Sequence, residues 1–243
     1  MKKITTLGFT VFSDNLSLIP IRETKNKIIN TISPNSYGIT TKDKEFEKAL
    51  KTSDYLVLDG VYFAVASILL QGKNIKRNQG PDVFFHFINR LNKQKGKAFF
   101  IGSTESTLEK IKARAKVDYP NIEIETYSPP FKVEFSDEEN AIMIEKINNF
   151  QPDILFVGMT CPKQEKWAIK HRESLNTGLT ICIGNVFDWY AGTQKNISPI
   201  WFKLRLAWLI RIFLRPEVFK RNIGNQMLFF WHVMLIFLKL KKI

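Results

Sequence analysis

Residues 154–165 read Ile-Leu-Phe-Val-Gly-Met-Thr-Cys-Pro-Lys-Gln-Glu, and this stretch decides the fold. Four apolar residues in a row, followed at once by a glycine, predict a buried strand that ends in a tight loop. Pro162 suits the first turn of the helix that follows. A strand, a loop and a helix in this order form the repeating unit of a parallel sheet that is covered by helices.

Working outward from this stretch, short apolar runs alternate with segments of helical length over residues 28–184. The predicted strands are 28–32, 55–58, 98–101, 122–126, 154–157 and 179–183. The predicted helices are 42–52, 61–71, 82–95, 105–117, 138–149 and 163–174. This alternation predicts a doubly wound α/β fold with a mostly parallel, Rossmann-like sheet.

The composition indicates one compact protein of a reducing compartment. The chain has 243 residues, of which 44% are hydrophobic, and this is enough to bury one sizeable core. Its two cysteines, Cys161 and Cys182, do not make a disulfide framework, which favours the cytoplasm. Met1 and the two lysines after it are not followed by the apolar segment of a secretory signal.

The positive charge is concentrated near the end of the chain. Residues 193–243 carry ten of the 36 lysines and arginines, against the single acid Glu217. Large aromatic residues such as Trp201 and Trp208 lie among these cations. We therefore predict an α/β core at residues 1–195 and a basic, aromatic-rich helical appendage at residues 196–243.

The appendage is predicted to associate with an anionic membrane surface. Its apolar run, residues 227–238, would span about 18 Å as a helix, against roughly 30 Å of hydrocarbon, so it is too short to cross. Cations beside Phe229, Phe230 and Trp231 are typical of a helix that lies in the interface. Alternatively, these aromatics complete the core or an oligomer interface.

Nucleic-acid binding is a third interpretation of the charge. It rests on the isoelectric point of about 9.7 alone. The cations lie among large aliphatic side chains, and no recognition motif accompanies them. We therefore expect no nucleic-acid partner.

Polar residues and glycines follow the predicted strands where such sheets bind ligands. Gly184 and Gly192 enclose a second loop that contains Asp188, and Asp59-Gly60 follows the strand at 55–58. Loops at the carboxyl ends of parallel strands form ligand sites, and a helix N-terminus beside a lysine suits phosphate oxygens. The pattern predicts a binding site made from adjacent loops.

Four pieces of the sequence, in order and in spacing, resemble the WecG/TagA/CpsF glycosyltransferase family (glycosyltransferase family 26). They are Asp59-Gly60, residues 77–82, residues 162–165 and residues 187–192, and the resemblance covers roughly residues 28–222. It implies an inverting transferase that moves N-acetylmannosamine or a related hexose from a UDP-sugar to a polyprenyl-diphosphate-linked saccharide of surface-polysaccharide or teichoic acid-type biosynthesis. It also implies a peripheral location on the inner face of the cell membrane, and relatives are often homo-oligomers.

The resemblance assigns roles to individual residues. Asp59 would be the catalytic base, because the acceptor hydroxyl must lose its proton as it attacks the donor sugar. Arg77 would hold the donor diphosphate through its guanidinium, and Gln164 would contact the sugar or the phosphate. The other implied binding residues are Ser33, Asn35, Lys163 and Asp188.

Each of these residues also has an ordinary structural interpretation. Asp59 suits a turn or a helix cap, Arg77 suits a solvated surface, and Asp188 suits a bond to the loop backbone. Ser-Pro-Asn at 33–35 is by itself a turn sequence, and Lys163 is typical of an exposed lysine.

No metal or other cofactor is expected beside the UDP-sugar substrate. His86, His171 and His232 do not share a metal-ligand spacing with acids or cysteines. The Asp-x-Asp element by which many other glycosyltransferases bind a metal is absent from the sequence.

Three departures from the family pattern are present, and those in the tail leave an alternative function open. Tyr62 stands near where a second glycine is usual, Ile197 lies where Arg-Ala-Pro is expected, and Ala207 replaces a glutamate. The alternative is a catalytically inactive sugar-nucleotide-binding or scaffold protein at the membrane.

Overall fold

The described part of the protein contains a six-stranded parallel sheet with helices around it and a two-stranded antiparallel sheet near the N-terminus. A computed structural model describes residues 1–22, 25–193 and 216–241. The strands are β1 (Lys3–Thr6), β2 (Phe9–Phe12), β3 (Lys27–Ile32), β4 (Tyr55–Leu58), β5 (Lys97–Gly102), β6 (Glu123–Tyr127), β7 (Ile154–Gly158) and β8 (Leu179–Cys182). Strands β3 to β8 form one sheet in the order β4-β3-β8-β7-β5-β6, and every neighbouring pair is parallel.

The helices connect these strands. They are α1 (Pro34–Thr40), α2 (Lys44–Lys51), α3 (Tyr62–Gln71), α4 (Gly80–Lys93), α5 (Glu105–Asp118), α6 (Asp137–Phe150), α7 (Lys163–Lys170), α8 (Asn185–Tyr190) and α9 (Pro216–Phe237). Each of the six predicted strands is present within two residues, and each predicted helix overlaps an observed one. The doubly wound, Rossmann-like fold with a C-terminal helix is confirmed.

The central strands are apolar because both of their faces are covered. Every residue of β4, β7 and β8 is buried, which explains why these strands read as continuous apolar runs rather than alternating ones. Between β5 and β7, the rings of Phe100 and Phe156 stack with their centroids 5.0 Å apart. The core therefore lies on the strands that also carry the polar loops.

Helix α8 was not predicted, and the interpretation of residues 184–192 as a loop is wrong in part. Val186, Phe187 and Tyr190 are buried, and this spacing puts them on one helical face against the sheet. The ring of Phe187 occupies the place where a side chain at Gly158 would lie. Gly158 therefore lets α8 approach the end of β7.

Two further elements were also missed. Helix α1 begins at Ser33, whose hydroxyl accepts a hydrogen bond from the amide of Ser36, so the turn sequence is a helix start. Strands β1 and β2 form an antiparallel hairpin, closed by Leu7 and Gly8 at φ angles of 49° and 80°. Two residues with positive φ suit a tight hairpin, but Leu-Gly lacks the asparagine or aspartate that usually marks one.

Helix α9 packs on α1 and α3. Phe229 is completely buried, with its ring centroid 5.5 Å from that of Tyr37 and 5.3 Å from that of Phe63. The prediction that Phe229 lies in a membrane interface is therefore wrong, because it fills space in the core. At Gly38, the backbone of α9 comes so close that a side chain would overlap Asn225.

The opposite face of α9 is exposed. Met227, Phe230 and Trp231 are 60%, 42% and 53% exposed. No helix in the described ranges is both long and apolar enough to cross a membrane. Trp201, Trp208, Ile197 and Ala207 lie outside the described residues, and the division into a core at 1–195 and an appendage at 196–243 stays a prediction.

Candidate functional site

The predicted site residues lie at one edge of the sheet. Ser33 follows β3, Asp59 follows β4, Gln164 lies in the first turn of α7 after β7, and Asp188 lies in α8 after β8. These four strands are neighbours and run parallel, so their carboxyl ends meet at the same edge. The fold thus brings together residues from both halves of the chain.

Asp59 is placed by the hydrogen-bond ladder of the sheet. Leu58 pairs with Ile32, and the amide of Asp59 donates to the carbonyl of Ile32 at 2.9 Å. Asp59 is half-buried, and Gly60 then turns the chain with a φ of 85° before α3 begins. The backbone of Asp59 therefore lies beside the end of β3, next to Ser33, the residue that caps α1.

Arg77 lies at the end of the same strand. It forms a parallel bridge with Leu58, and the amide of Asn78 donates to the carbonyl of Leu58 at 3.2 Å. Arg77 is exposed. Asp59 thus follows the last residue of β4 in the chain, and Arg77 is paired with that residue through the backbone. Asp82 accepts a hydrogen bond from the amide of Gln79 at 3.1 Å and so caps the start of α4.

Asn78 is a residue that the sequence reasoning did not single out. It is 4% exposed, and its side-chain nitrogen has no hydrogen-bond partner in the described part of the chain. A buried amide donor next to Arg77 is available for a ligand. In the sequence, the only signal that Asn78 belongs to the site was its position between Arg77 and Gln79 of the motif.

Ser33 and Asn35 carry structural hydrogen bonds. The Ser33 hydroxyl caps α1, and the side-chain oxygen of Asn35 accepts from the side-chain nitrogen of Asn225 in α9 at 3.2 Å. Both residues are half-buried. They connect the loop after β3 to the C-terminal helix, and their contact with a substrate stays a prediction.

Gln164 joins the loops after β7 and β8. It is 5% exposed; its Oε1 accepts from the amide of Gly184 at 3.1 Å, and its Nε2 donates to Oε1 of Glu165 at 2.8 Å. One N–H and one lone pair of the amide remain for other partners. The side chain therefore fixes the distance between two loops of the site.

Glu165 is the second residue that the sequence reasoning missed. It is 2% exposed, and burial raises the pKa of its carboxyl from 4.5 to about 7. Its Oε2 has no hydrogen-bond partner within the described ranges. Helical periodicity was the available signal, since Glu165 shares a buried face with Trp167 and Ala168.

Lys163 contacts the loop after β6. Its ammonium donates to the carbonyl of Lys132 at 2.5 Å and lies 3.4 Å from the centre of the Phe135 ring. Burial lowers the pKa of this ammonium. These contacts account for the lysine structurally, and its role in binding stays a prediction.

Asp188 is half-buried in the first turn of α8. Its backbone carbonyl accepts from both the amide and the hydroxyl of Thr193 at 3.0 Å, which closes the end of the helix. The ligand role of its carboxylate also stays a prediction. Among the described residues, no group of three or more histidine, cysteine or acidic side chains is placed to hold a metal ion.

Comparison with known proteins identifies the family. The model of the Glycosyl transferase WecG/TagA/CpsF family matches residues 7–243. An N-acetylglucosaminyldiphosphoundecaprenol N-acetyl-beta-D-mannosaminyltransferase of Bacillus subtilis (strain 168) is 28% identical over 218 residues, which are 89% of this chain and 83% of that protein. Proteins of the same name from Bacillus spizizenii (strain ATCC 23059 / NRRL B-14472 / W23) and Staphylococcus aureus (strain NCTC 8325 / PS 47) are 25% and 26% identical, over 92% and 78% of this chain and 87% and 73% of their own length. The family model matches nearly the whole chain, and the fold has the expected sheet edge. This protein is therefore a glycosyltransferase of the WecG/TagA/CpsF family.

Proposed function

We propose that this protein transfers N-acetylmannosamine or a related hexose from a UDP-sugar to a polyprenyl-diphosphate-linked saccharide, with inversion at the anomeric carbon. The observation that carries the proposal is the pair formed by Asp59 and Arg77 at the end of β4. Asp59 would supply a base and Arg77 a cation, and support comes from their backbone positions: Asp59 follows Leu58 in the chain, and Arg77 forms a bridge with Leu58. The printed names of the relatives support the acceptor class and the sugar.

The proposed reaction is a single displacement. The acceptor hydroxyl gives its proton to Asp59, and its oxygen bonds to the anomeric carbon from the side opposite UDP. The bond from that carbon to the diphosphate oxygen breaks, and the electron pair leaves with UDP. Arg77 stabilises the negative charge that develops on the diphosphate, because a guanidinium can donate two parallel hydrogen bonds to phosphate oxygens.

The replacement of Asp59 by asparagine tests the base. Asp59→Asn keeps the shape of the side chain and removes the proton acceptor, so turnover should fall by about 10² or more. UDP affinity should stay near that of the wild type, since Asp59 acts on the acceptor. Asp82→Asn is the matched control: its carboxylate caps α4, so its turnover should remain within a few-fold of wild type. Near-normal turnover of Asp59→Asn would refute the assignment.

We also propose that the enzyme docks on the inner face of the cell membrane. The polyprenyl chain of such an acceptor stays in the bilayer, so the enzyme must approach it. Support comes from the exposed side chains of α3, among them Val65, Ile68 and Leu69, which are 51%, 48% and 52% exposed. The rings of Tyr62 in α3 and Phe230 in α9 lie 5.4 Å apart and connect this apolar face to that of α9.

Cations lie at both ends of the exposed face of α9. Lys220 and Arg221 lie near its start, and Lys239 and Lys241 follow its end; all four are exposed. Near anionic headgroups, each such cation contributes about 1 kcal/mol. Flotation with anionic and neutral vesicles tests the proposal. Docking predicts binding to the anionic vesicles that weakens with salt, whereas a homo-oligomer contact on this face predicts a concentration-dependent mass in solution and no vesicle binding.

A further inference from the structure

The orientation of the Gln164 amide is set by its neighbours. The amide of Gly184 can donate only to oxygen, so the side-chain oxygen of Gln164 faces Gly184 and its nitrogen faces Glu165. A side chain at Gly184 would overlap the carbonyl of Met159 at 2.7 Å, so the two loops are in close contact there. Whatever orients Gln164 therefore also holds the loop after β7 against the loop after β8.

In the part of the chain that the structure describes, no cation acts on the buried carboxyl of Glu165. The groups that act on its charge are the Gln164 side chain, its own backbone amide and the thiol of Cys161. Facing it from β8 is the thiol of Cys182, which is completely buried. Arg221 of α9 acts on Cys161 rather than on Glu165.

Near neutral pH, the neighbouring titratable groups do not take over the role of the Glu165 carboxyl beside Gln164. Burial and the nearby Glu165 raise the pKa of the Cys161 thiol well above its ordinary value. On the exposed side of α7, Lys166 is paired with Asp43 and Glu45 of α2, which keeps these charges on the far face. Within the described ranges, the Glu165 carboxyl is thus a buried group without a counter-ion, and the side chain of Gln164 is its hydrogen-bond donor.

We propose that Glu165 is a positioning residue of the site: its buried carboxyl accepts from the Gln164 amide and so holds the two loops at the distance that binds the donor. This inference rests on the proposed function, in which Gln164 contacts the donor. Removal of this acceptor leaves the Gln164 amide free to turn away from Gly184. Donor affinity should then fall, while turnover at saturating donor changes less.

Two variants test the inference. Glu165→Gln keeps an oxygen that accepts from Gln164 and cannot ionise; Glu165→Leu keeps a similar volume and has no acceptor. At one pH, KM for the UDP-sugar should stay within about twofold of wild type in Glu165→Gln and should rise about tenfold in Glu165→Leu, in proportion to one buried hydrogen bond. An unchanged KM in Glu165→Leu, or a KM in Glu165→Gln that rises as much as in Glu165→Leu, would overturn the inference.

A readout without substrate separates this inference from the proposed function. Hydrogen exchange of the Gly184 amide, followed by NMR in the full-length protein, reports the bond to Gln164 directly. After correction for the intrinsic rate, its protection should stay near that of the wild type in Glu165→Gln and fall about tenfold in Glu165→Leu. If no UDP-sugar is turned over but protection follows this pattern, the positioning role stands and the proposed function fails; if protection in Glu165→Leu equals that of the wild type, the positioning role fails. Should Glu165→Leu not fold, Glu165→Met, which also lacks an oxygen acceptor at this place, takes its part in the comparison.

Discussion

Helix α9 has two faces that a pair of substitutions can separate. Phe229 lies on the face that packs on α1 and α3 and is completely buried, whereas Trp231, two residues on, is 53% exposed. If the helix completes the core on one side and docks on a bilayer on the other, Phe229→Ala should reduce stability and Trp231→Ala should reduce vesicle binding. Each variant is the control for the other.

The size of both effects follows from burial. Truncation of a fully buried phenylalanine costs about 3–5 kcal/mol, and Phe229 also loses edge contacts with Tyr37. With an m-value of about 2–3 kcal/mol/M, the urea midpoint should fall by roughly 1–2 M. Trp231→Ala should change stability by about 0.5 kcal/mol or less.

For vesicle binding, Trp231→Ala is expected to have the larger effect and Phe229→Ala the smaller one. About half of a tryptophan surface is available to the bilayer, on the order of 100 Å², and at about 25 cal/mol/Å² this is worth roughly 2 kcal/mol. Trp231→Ala should therefore lower the partition coefficient into anionic vesicles roughly thirtyfold, measured by flotation under conditions where both variants are folded. Folded Phe229→Ala should bind vesicles like the wild type. If Trp231→Ala binds normally, or if it destabilises the protein as much as Phe229→Ala, the assignment of the two faces is wrong.

Three further outcomes are expected. Arg77→Ala should weaken UDP binding in calorimetry by about tenfold or more, the value of a charge-assisted hydrogen bond, whereas the neighbouring Lys76→Ala should not; equal affinities of wild type and Arg77→Ala would exclude the arginine from the donor site. Because the pKa of Glu165 is raised from 4.5 to about 7 in the folded protein, its stabilising effect is complete below about pH 4.5 and is lost as pH rises to about 7. The free energy of unfolding of the wild type should fall over that window by about 3 kcal/mol relative to Glu165→Gln, and parallel pH profiles would contradict this. Gly38→Val should destabilise by about 1–3 kcal/mol because its side chain meets the backbone of α9, while Gly224→Ala, where the space is open, should not; equal stabilities would show that α9 is not seated as described.

The strands could be predicted because each is determined by a short run of neighbouring residues. Runs such as Ile154-Leu155-Phe156-Val157 are apolar at every position, and only a strand covered on both faces uses such a run at that length. The end of each strand then placed Asp59 and Gln164 at one edge, since parallel strands share the direction of their carboxyl ends.

What could not be predicted depends on partners distant in the sequence. The run at 227–238 contains apolar residues on several faces of the helix, so its pattern does not tell which residue contacts α1 and which faces solvent. Phe229 is buried and Trp231 exposed only because Tyr37 and Phe63 pack against the face that carries Phe229. Glu165 was overlooked because a charged residue is usually exposed, and only the packing of α7 against the sheet buries it.

The order of strands in the sheet has a consequence for how the enzyme is made. Strands β4 and β3 form one half of the sheet and β7, β5 and β6 the other; of the strands described, only β8 pairs with both halves. Among the described strands it is also the last to leave the ribosome. A nascent chain that ends before Leu179 therefore carries Asp59 and Gln164 on two unjoined half-sheets. The sheet is completed only when β8 inserts between the edges of β3 and β7, which are already formed. Such non-local pairing is slow, so the unjoined β3 and β7 edges are the surfaces through which an incomplete chain would aggregate or recruit a chaperone.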